Sequence, residues 1–419
     1  MWPRDRDHPI RVGLRYLRTN SRLVFGALRR RVARLDVIVG VTGSAGKSTV
    51  SRLVGAILRQ KGRTYVAHGT NTYDGIRRRY RFAPLGSRHW VQEISGHQPG
   101  EVKASASFVQ PNIGIVTRVE QEHFKAFDSF EALADGKADL VRALSSGGTA
   151  ILNADDSKVA AMKNLTTARV LTFGINAGDV RVVRVEGNLP DPVVMTFDDR
   201  GTELTIRTKF AGSRWAIHFA AAIAAASAAG VARQDVVQAL EAIEPDLYRD
   251  SVHVFDDESM IILDCFKATF WTVPTSIETL AEIAAPRKTF ILGTLSDYRG
   301  SPRSRYTEAV KAALEVADRV FVYGPHAYRM QRMLPDNAKR LALFDTFVDL
   351  QYRIETTAIA KEAIYVKATS VDHLERLMHH RRYPIICFED RCGVTRRSCN
   401  SCKKLYNKRF SRAQGAALR

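Results

Sequence analysis

Short apolar segments alternate with helical patterns along the first third of the chain. The apolar runs cover residues 37–41, 64–67, 90–94, 113–117 and 149–152, and helical or loop stretches separate them. Short buried strands that alternate with helices are typical of a mostly parallel sheet covered by helices. The pattern therefore predicts an α/β fold that begins near Asp36.

Two further patterns follow. Residues 168–210 are rich in strand-forming residues, and helices are predicted over 215–230 and 233–243. A second alternating series predicts a smaller, Rossmann-like doubly wound domain. Its predicted strands cover 260–263, 289–292, 319–323 and 363–366, and its predicted helices cover 274–284, 305–316 and 371–379. We therefore predict four regions: an N-terminal helix (1–36), a central domain (37–244), a C-terminal α/β domain (245–380) and a tail (381–419).

Positive charge is concentrated at the two ends of the chain. The 419 residues carry a net charge of +19, with ten arginines against three aspartates in 1–36 and twelve basic against two acidic residues in 376–419. Residues 10–35 also show a helical apolar stripe, which fits either an anionic membrane or the protein's own surface. The basic ends predict an acidic partner protein or an anionic membrane. Few aromatic residues interleave these charges, which argues against nucleic acid.

A glycine-rich turn between a strand and a helix is the strongest chemical signal. It follows the apolar run 37–41 and leads into a helical pattern. Glycines let backbone amides surround phosphate oxygens, and a lysine and a hydroxyl at this spacing bind the phosphates and magnesium. The turn predicts nucleoside triphosphate binding by seven residues: Gly43, Ser44, Ala45, Gly46, Lys47, Ser48 and Thr49.

Three other residues are candidates for the same site. Glu93 ends an apolar strand, where a doubly wound sheet presents ligand-binding groups and a carboxylate can hold magnesium. His123 follows the run 113–117, and Lys137 lies in a helical pattern. Taken singly, residues of these three types at such positions are more often an ordinary loop acid, a structural histidine and a surface lysine than members of a functional site.

Their order along the chain is more specific. Five motifs occur in register: residues 41–49, 93–101, 111–117, 122–129 with Lys137, and 150–156. Together they resemble the Mur ligase family, and most of all its members that add D-alanyl-D-alanine to UDP-muramyl peptides. The resemblance implies an ATP-dependent ligase that joins a carboxylate to an amine through an acyl phosphate. It implies a cytoplasmic enzyme with a central phosphate-loop (P-loop) domain.

The resemblance also implies residue roles. Lys47 would hold the terminal phosphates, and Ser48 with Glu93 would bind a first magnesium ion. His123 would help bind a second magnesium ion, supported by Lys137 in a carbamylated form. Three further positions match the family: Asn153 near the nucleotide, Arg249 directed toward the phosphates, and Asp264 on the ribose.

The position of the phosphate loop bears on the substrate. Muramyl ligases carry an N-terminal domain that grips the UDP-sugar, whereas here the phosphate loop begins by residue 43. We therefore expect a carboxylate other than a standard UDP-muramyl peptide. The alternatives are a nucleotide-hydrolysing switch and a membrane- or nucleic-acid-associated ATPase without ligase activity.

Four of the five cysteines lie in the basic tail. Cys387, Cys392, Cys399 and Cys402 fall within 16 residues, and the last two form a Cys-x-x-Cys pair. This arrangement predicts one structural zinc ion, with unliganded or redox-active thiols as the alternative. The clustering argues against a disulfide framework, and no secretory signal precedes the first strand, so both indicate the cytoplasm.

Overall fold

The structure is a computed structural model that describes residues 34–80, 83–84, 86–120, 126–390, 392–394 and 398–406. The predicted basic N-terminal helix lies outside the described residues as far as residue 33. The chain divides into two compact units. The first takes the described residues of Met1–Glu186, Val194–Thr208 and Ala216–Ile243, and the second takes those of Gly187–Val193, Lys209–Trp215 and Glu244–Arg419.

The first unit is built on β1 to β9 and α1 to α7. The strands are β1 (Val37–Thr42), β2 (Thr64–Ala67), β3 (His89–Glu93), β4 (Ile113–Val116), β5 (Thr149–Asn153), β6 (Arg169–Gly174), β7 (Val180–Glu186), β8 (Val193–Asp199) and β9 (Thr202–Thr208). The helices are α1 (Lys47–Lys61), α2 (Tyr73–Tyr80), α3 (Glu101–Val109), α4 (Phe130–Arg142), α5 (Ser157–Ala161), α6 (Ala216–Ala228) and α7 (Arg233–Ala242).

Over the described residues these strands form one sheet in the order β2-β3-β1-β4-β5-β6-β7-β8-β9. β1 lies between β3 and β4, pairs with both in parallel and is buried along its whole length. Such double-sided burial explains its unbroken apolar sequence. The register sets Val41 opposite Glu93, so β1 and β3 end at the same edge of the sheet.

Helix α6 is the alanine-rich segment, and nine of its residues are buried. Small side chains allow close contact with neighbouring elements, and α6 packs on α1 and β6. Within the described residues, no helix is both long and apolar enough to cross a membrane.

The second unit is also α/β. Its strands are β10 (Ser251–Val254), β11 (Met260–Asp264), β12 (Lys288–Leu292), β13 (Arg319–Tyr323), β14 (Leu341–Phe344) and β15 (Ala363–Lys367). Its helices are α8 (Val273–Glu282), α9 (Pro302–Val316), α10 (Leu334–Asn337), α11 (Phe347–Thr356) and α12 (Arg376–Arg382). Among described residues the sheet order is β10-β11-β15-β12-β13-β14, and β10 alone pairs antiparallel. The α/β class predicted from the apolar pattern is confirmed for both units.

Several details of the second unit differ from the sequence predictions. The edge strands β10 and β14 and the helices α10 and α11 were not predicted. The helix predicted over 371–379 begins only at Arg376. His373 has φ of +52°, a left-handed conformation that a helix cannot contain, so the chain turns there before α12 starts.

Candidate functional site

Two glycines shape the loop between β1 and α1. Gly43 has φ of +135° and Gly46 has φ of +78°, a region that favours glycine. A Cβ on Gly43 would collide with the Thr117 hydroxyl, and a Cβ on Gly46 would collide with the His218 ring. Both glycines are therefore required by backbone conformation and by close packing.

The strand β4 and the chain after it hold this loop in place. The Ser44 amide donates to the Arg118 carbonyl over 2.8 Å, and the Ser44 hydroxyl donates to the Glu120 carbonyl over 3.0 Å. The Thr117 hydroxyl donates to the Ala45 carbonyl over 2.5 Å. Thr117 ends the motif 111–117, but no role for it was predicted from sequence. The signal that could have indicated one is a polar residue directly after an apolar strand.

The loop leads into the N-terminus of α1. Lys47 is the first residue of that helix, and its Nζ donates to the Gly43 carbonyl over 2.6 Å, so the lysine lies along the loop. Thr49, in the first turn, is buried. Backbone amides at a helix N-terminus beside a lysine form a site for anions such as phosphate groups.

Ser48 and Glu93 meet beside the loop. Ser48 Oγ donates to Glu93 Oε2 over 2.8 Å, and both side chains are buried. Glu93 also accepts from the Gly69 amide at 2.9 Å and from Asn71 Nδ2 at 2.8 Å. Asn71 was missed in the sequence, although it stands in the polar turn after the strand predicted at 64–67.

These contacts keep Glu93 ionised. Burial works to raise the pKa of Glu93, but the hydrogen bond from Gly69, the charge of Lys47 and the hydrogen bonds from Asn71 and Ser48 outweigh it and lower the pKa. A hydroxyl beside an ionised carboxylate is a hard oxygen set, which magnesium prefers. The residues present therefore fit a magnesium ion at this point.

Asn153 ends β5 near the same edge. Its Nδ2 donates to the Thr117 carbonyl over 2.8 Å, and its Oδ1 accepts from the Asp155 amide at 3.0 Å. The side chain thus links β5 to the residue that supports the phosphate loop. Because it is 4% exposed, the surrounding packing fixes its position.

Of the two residues predicted to support a second magnesium ion, only Lys137 lies within the described residues. Lys137 lies on α4 and is 1% exposed, so it is not the surface lysine that its sequence position would ordinarily suggest. Burying an ammonium group is costly unless charge or hydrogen bonding compensates it. His123 lies outside the described residues.

In the second unit, Asp264 ends β11 and is bound by two cations. Lys367 Nζ donates to Asp264 Oδ2 over 2.6 Å, and Arg214 Nη2 lies 3.4 Å from the same oxygen. Burial works to raise the pKa of Asp264, but the charges of Lys367 and Arg214 outweigh it and lower the pKa. The carboxylate is therefore ionised and held by charge from both sides.

Asp250 completes this buried network. It forms an ion pair with Arg214 and accepts hydrogen bonds from Tyr365 Oη and, at 3.1 Å, from Trp215 Nε1. Burial raises the pKa of Asp250 to about 6, and the negative charge of Asp264 adds to the effect, against the opposing charge of Arg214. No pattern in the sequence indicated a role for Asp250.

Arg249 precedes Asp250 in the chain and contacts an aromatic ring and a second carboxylate. Its guanidinium lies 4.3 Å from the centre of the Phe266 ring, and its Nε lies 3.9 Å from an oxygen of Asp246. Its side chain is about one-third exposed, at 31%. A cation that stacks on an exposed ring stays accessible to an anionic ligand.

The tail cysteines do not come together as a set of four. Cys399 is buried, Cys387 and Cys402 are half-buried and Cys392 is exposed. In the described part of the chain, the group with ligand atoms within 4.8 Å of one another is His373, Glu375 and Cys399. The four cysteine ligands predicted from spacing therefore differ from the group of possible metal ligands that the fold brings together.

Comparisons with known proteins show similarity to Mur ligases. Residues 41–226 match the Mur ligase middle domain. The UDP-N-acetylmuramoyl-tripeptide–D-alanyl-D-alanine ligase of Mycobacterium tuberculosis is 29% identical over 293 residues, covering 68% of this chain and 58% of that relative. The Mycobacterium leprae enzyme of the same name is 30% identical over 261 residues, covering 59% of this chain and 50% of that relative. The chain thus spans 58% of the length of the first relative.

Solved structures share the fold. MurF from Acinetobacter baumannii superposes with a TM-score of 0.79 at 22% identity, covering 87% of this chain and 80% of that chain. The MurF ligase from Thermotoga maritima in complex with ADP gives a TM-score of 0.77 at 17% identity, covering 87% and 84%. Because both sequence identities are below 25%, these structures show similarity of fold alone.

A glycine-rich loop between a buried parallel strand and a helix is typical of nucleotide-binding α/β proteins. The match over residues 41–226 and the mycobacterial relatives narrow that class. Over residues 41–226 the chain is similar to the middle domain of Mur ligases, and in sequence it resembles the D-alanyl-D-alanine-adding members of that family.

Proposed function

We propose that this protein is an ATP-dependent ligase that forms an amide bond between a carboxylate and an amine. The carboxylate oxygen takes the γ-phosphoryl group of ATP, which gives an acyl phosphate and ADP. The amine then attacks the acyl carbon, phosphate leaves, and the amine loses a proton. This sequence uses phosphoryl transfer to convert a poor leaving group into a good one.

One observation carries the proposal: the Ser48–Glu93 hydrogen bond of 2.8 Å beside the loop that Lys47 follows. These two oxygens would hold magnesium against the phosphates, and Lys47 would leave the Gly43 carbonyl to bind them. Amides of the loop and of the first turn of α1 would donate to the phosphate oxygens, apart from the Ser44 amide, which donates to the Arg118 carbonyl. When bound, the metal neutralises charge on the transferring group.

The remaining roles rest on the family resemblance. Lys137, in a carbamylated form, and His123 would support a second magnesium ion. Carbamylation would turn the buried ammonium of Lys137 into an anion suited to a metal. Asn153 would lie near the nucleotide, and Arg249 and Asp264 would contact its phosphates and ribose.

The substrates are a carboxylate and an amine. The names of the relatives supply the first pair to test, UDP-N-acetylmuramoyl-tripeptide with D-alanyl-D-alanine. We also propose a cytoplasmic location, a structural zinc ion in the tail, and an acidic protein or anionic membrane as partner of the basic termini. Binding to anionic vesicles that weakens with salt would support the membrane partner.

The test is a screen of carboxylate and amine pairs for ADP release, with mass spectrometry of the product. We expect one amide for each ADP with one pair. ADP release without amide for every pair would instead support a nucleotide-hydrolysing switch. Lys47→Ala should abolish turnover, and Lys61→Ala, on the exposed end of the same helix, should not. Full turnover in Lys47→Ala would refute the proposal.

A further inference from the structure

The chain after α12 is irregular but partly buried. Over the described residues from 383 to 406, the regular structure is a single turn of 3-10 helix at Cys399–Ser401. Ile385 and Leu405 are nevertheless buried, and the Ile386 amide donates to the Leu405 carbonyl over 2.9 Å. Ordering irregular backbone costs conformational entropy, and disulfides or metal ions commonly offset that cost where the core is small.

Three chemically different side chains converge where this segment meets the second unit. Cys399 Sγ lies 3.6 Å from His373 Nδ1, which lies 3.4 Å from Glu375 Oε1. All three residues are more than nine-tenths buried. Sulfur, nitrogen and oxygen donors therefore face one point inside the protein.

The backbone is arranged to bring them there. His373 takes a left-handed conformation with φ of +52°, a costly choice for a residue other than glycine. Glu375 stands at the N-cap of α12 but makes no capping hydrogen bond. Its Oε1 instead accepts from the Cys399 amide at 2.9 Å.

A nucleophilic cysteine with a histidine base does not fit this geometry. In such a triad the histidine contacts the nucleophile with one ring nitrogen and the acid with the other. Here Cys399 and Glu375 both approach Nδ1 of His373. Convergence on one nitrogen is expected of groups that share a metal ion.

A fourth ligand is available nearby. Cys402 follows Cys399 at Cys-x-x-Cys spacing, and its amide donates to the Cys399 carbonyl over 2.9 Å. Both Cys402 and Cys387 pack against the apolar cluster that contains Cys399. Cys392 is exposed and lies outside the group.

We propose that His373, Glu375, Cys399 and Cys402 bind one structural zinc ion that fastens the tail to the second unit. Zinc accepts this mixture of donors in four-coordinate sites, and a buried, closed set indicates a structural ion. The proposal gives the predicted tail zinc a different ligand set. It does not depend on the ligase reaction.

The decisive experiment uses the full-length wild-type protein. Elemental analysis should find about one zinc ion per chain, and X-ray absorption should find two sulfur ligands at about 2.3 Å with two nitrogen or oxygen ligands at about 2.0 Å. Four sulfur ligands would support the four-cysteine site instead and overturn the proposal. Protein free of zinc, or with Cys399 in a disulfide, would also overturn it.

Variants test the assignment a second way. Cys399→Ser should lower zinc content by about tenfold or more. Cys392→Ser is the matched control and should keep the wild-type content, and zinc loss in that variant would contradict the ligand set. If Cys399→Ser does not fold, absorption on the wild type still decides. Amide formation is measured separately, so a zinc-bound protein without ligase activity would refute the proposed function alone.

Discussion

Ser48 Oγ and Glu93 Oε2 lie 2.8 Å apart, although 45 residues separate them in the chain. The pairing of β1 with β3 brings them together, because Val41 is in register with Glu93. A hydroxyl just past one strand and a carboxylate at the end of its neighbour thus face the phosphate loop.

Glu93→Gln should lower magnesium-dependent ATP turnover by about 10²-fold, because the amide keeps hydrogen bonds but lacks the charge that a cation requires. The measurement is turnover as a function of magnesium concentration, and the half-saturating concentration should rise. Glu131→Gln is the control, since Glu131 is exposed and pairs with Lys158 at the surface. An unchanged magnesium dependence in Glu93→Gln would remove this carboxylate from the metal site.

Gly46→Ala should weaken nucleotide binding and destabilise the protein by about 1–3 kcal/mol, since an added Cβ meets both a positive φ and the His218 ring. Thermal unfolding and ADP binding measure the two effects. Adding His218→Ala should restore part of the loss by removing the collision while leaving the backbone strain. Gly147→Ala is the control, because a Cβ there meets open space. Equal behaviour of the two alanine variants would count against a strained loop.

Lys137→Ala should lose amide formation, and short carboxylates such as acetate should restore part of it by occupying the space of a carbamate. Rescue by carboxylates but not by alkylamines is the informative readout, because a merely structural lysine would not show that preference. Lys103→Ala, at an exposed position on α3, is the control. A fully active Lys137→Ala enzyme would exclude this lysine from the mechanism.

Asp250→Asn should change how stability depends on pH. The folded-state pKa of Asp250 is raised to about 6 from 3.8, so between these values the folded protein holds a proton that the unfolded chain releases. This group therefore lowers the free energy of unfolding as pH rises through that window.

Urea unfolding at several pH values measures this effect. In Asp250→Asn the fall contributed by this group should be absent, even if the loss of the Arg214 ion pair lowers stability throughout. Asp246→Asn, at a partly exposed position nearby, is the control. An identical pH slope in wild type and Asp250→Asn would contradict the raised pKa.

Much of the strand pattern follows from local sequence. The buried central strands β1, β4 and β5 are unbroken apolar runs, and their predicted and observed bounds differ by one residue or less. The edge strands β10 and β14 were missed because each has only four residues with mixed burial. Edge strands have fewer apolar neighbours, so their sequences carry a weaker signal.

Long-range contacts account for the differences between the predicted domain bounds and the observed units. Segments 187–193 and 209–215 lie in the middle of the predicted central domain, yet they belong to the second unit. Arg214 is held there by Asp250 and Asp264, which occur 36 and 50 residues later in the chain. No local pattern shows that these segments belong to the second unit, because the residues that they contact there are distant in sequence.

The sequence by itself determined the strand, glycine turn and helix over residues 37–61, because each depends on neighbours within a few positions. It also placed Glu93 at the end of a strand, and Asn153 directly follows the apolar run 149–152. Only the tertiary structure decided that Ser48 would meet Glu93, that Thr117 would support the loop and that Cys399 would join His373 and Glu375. Those contacts depend on strand order, on register and on the path of the irregular segments. All three are established only when the whole core packs together.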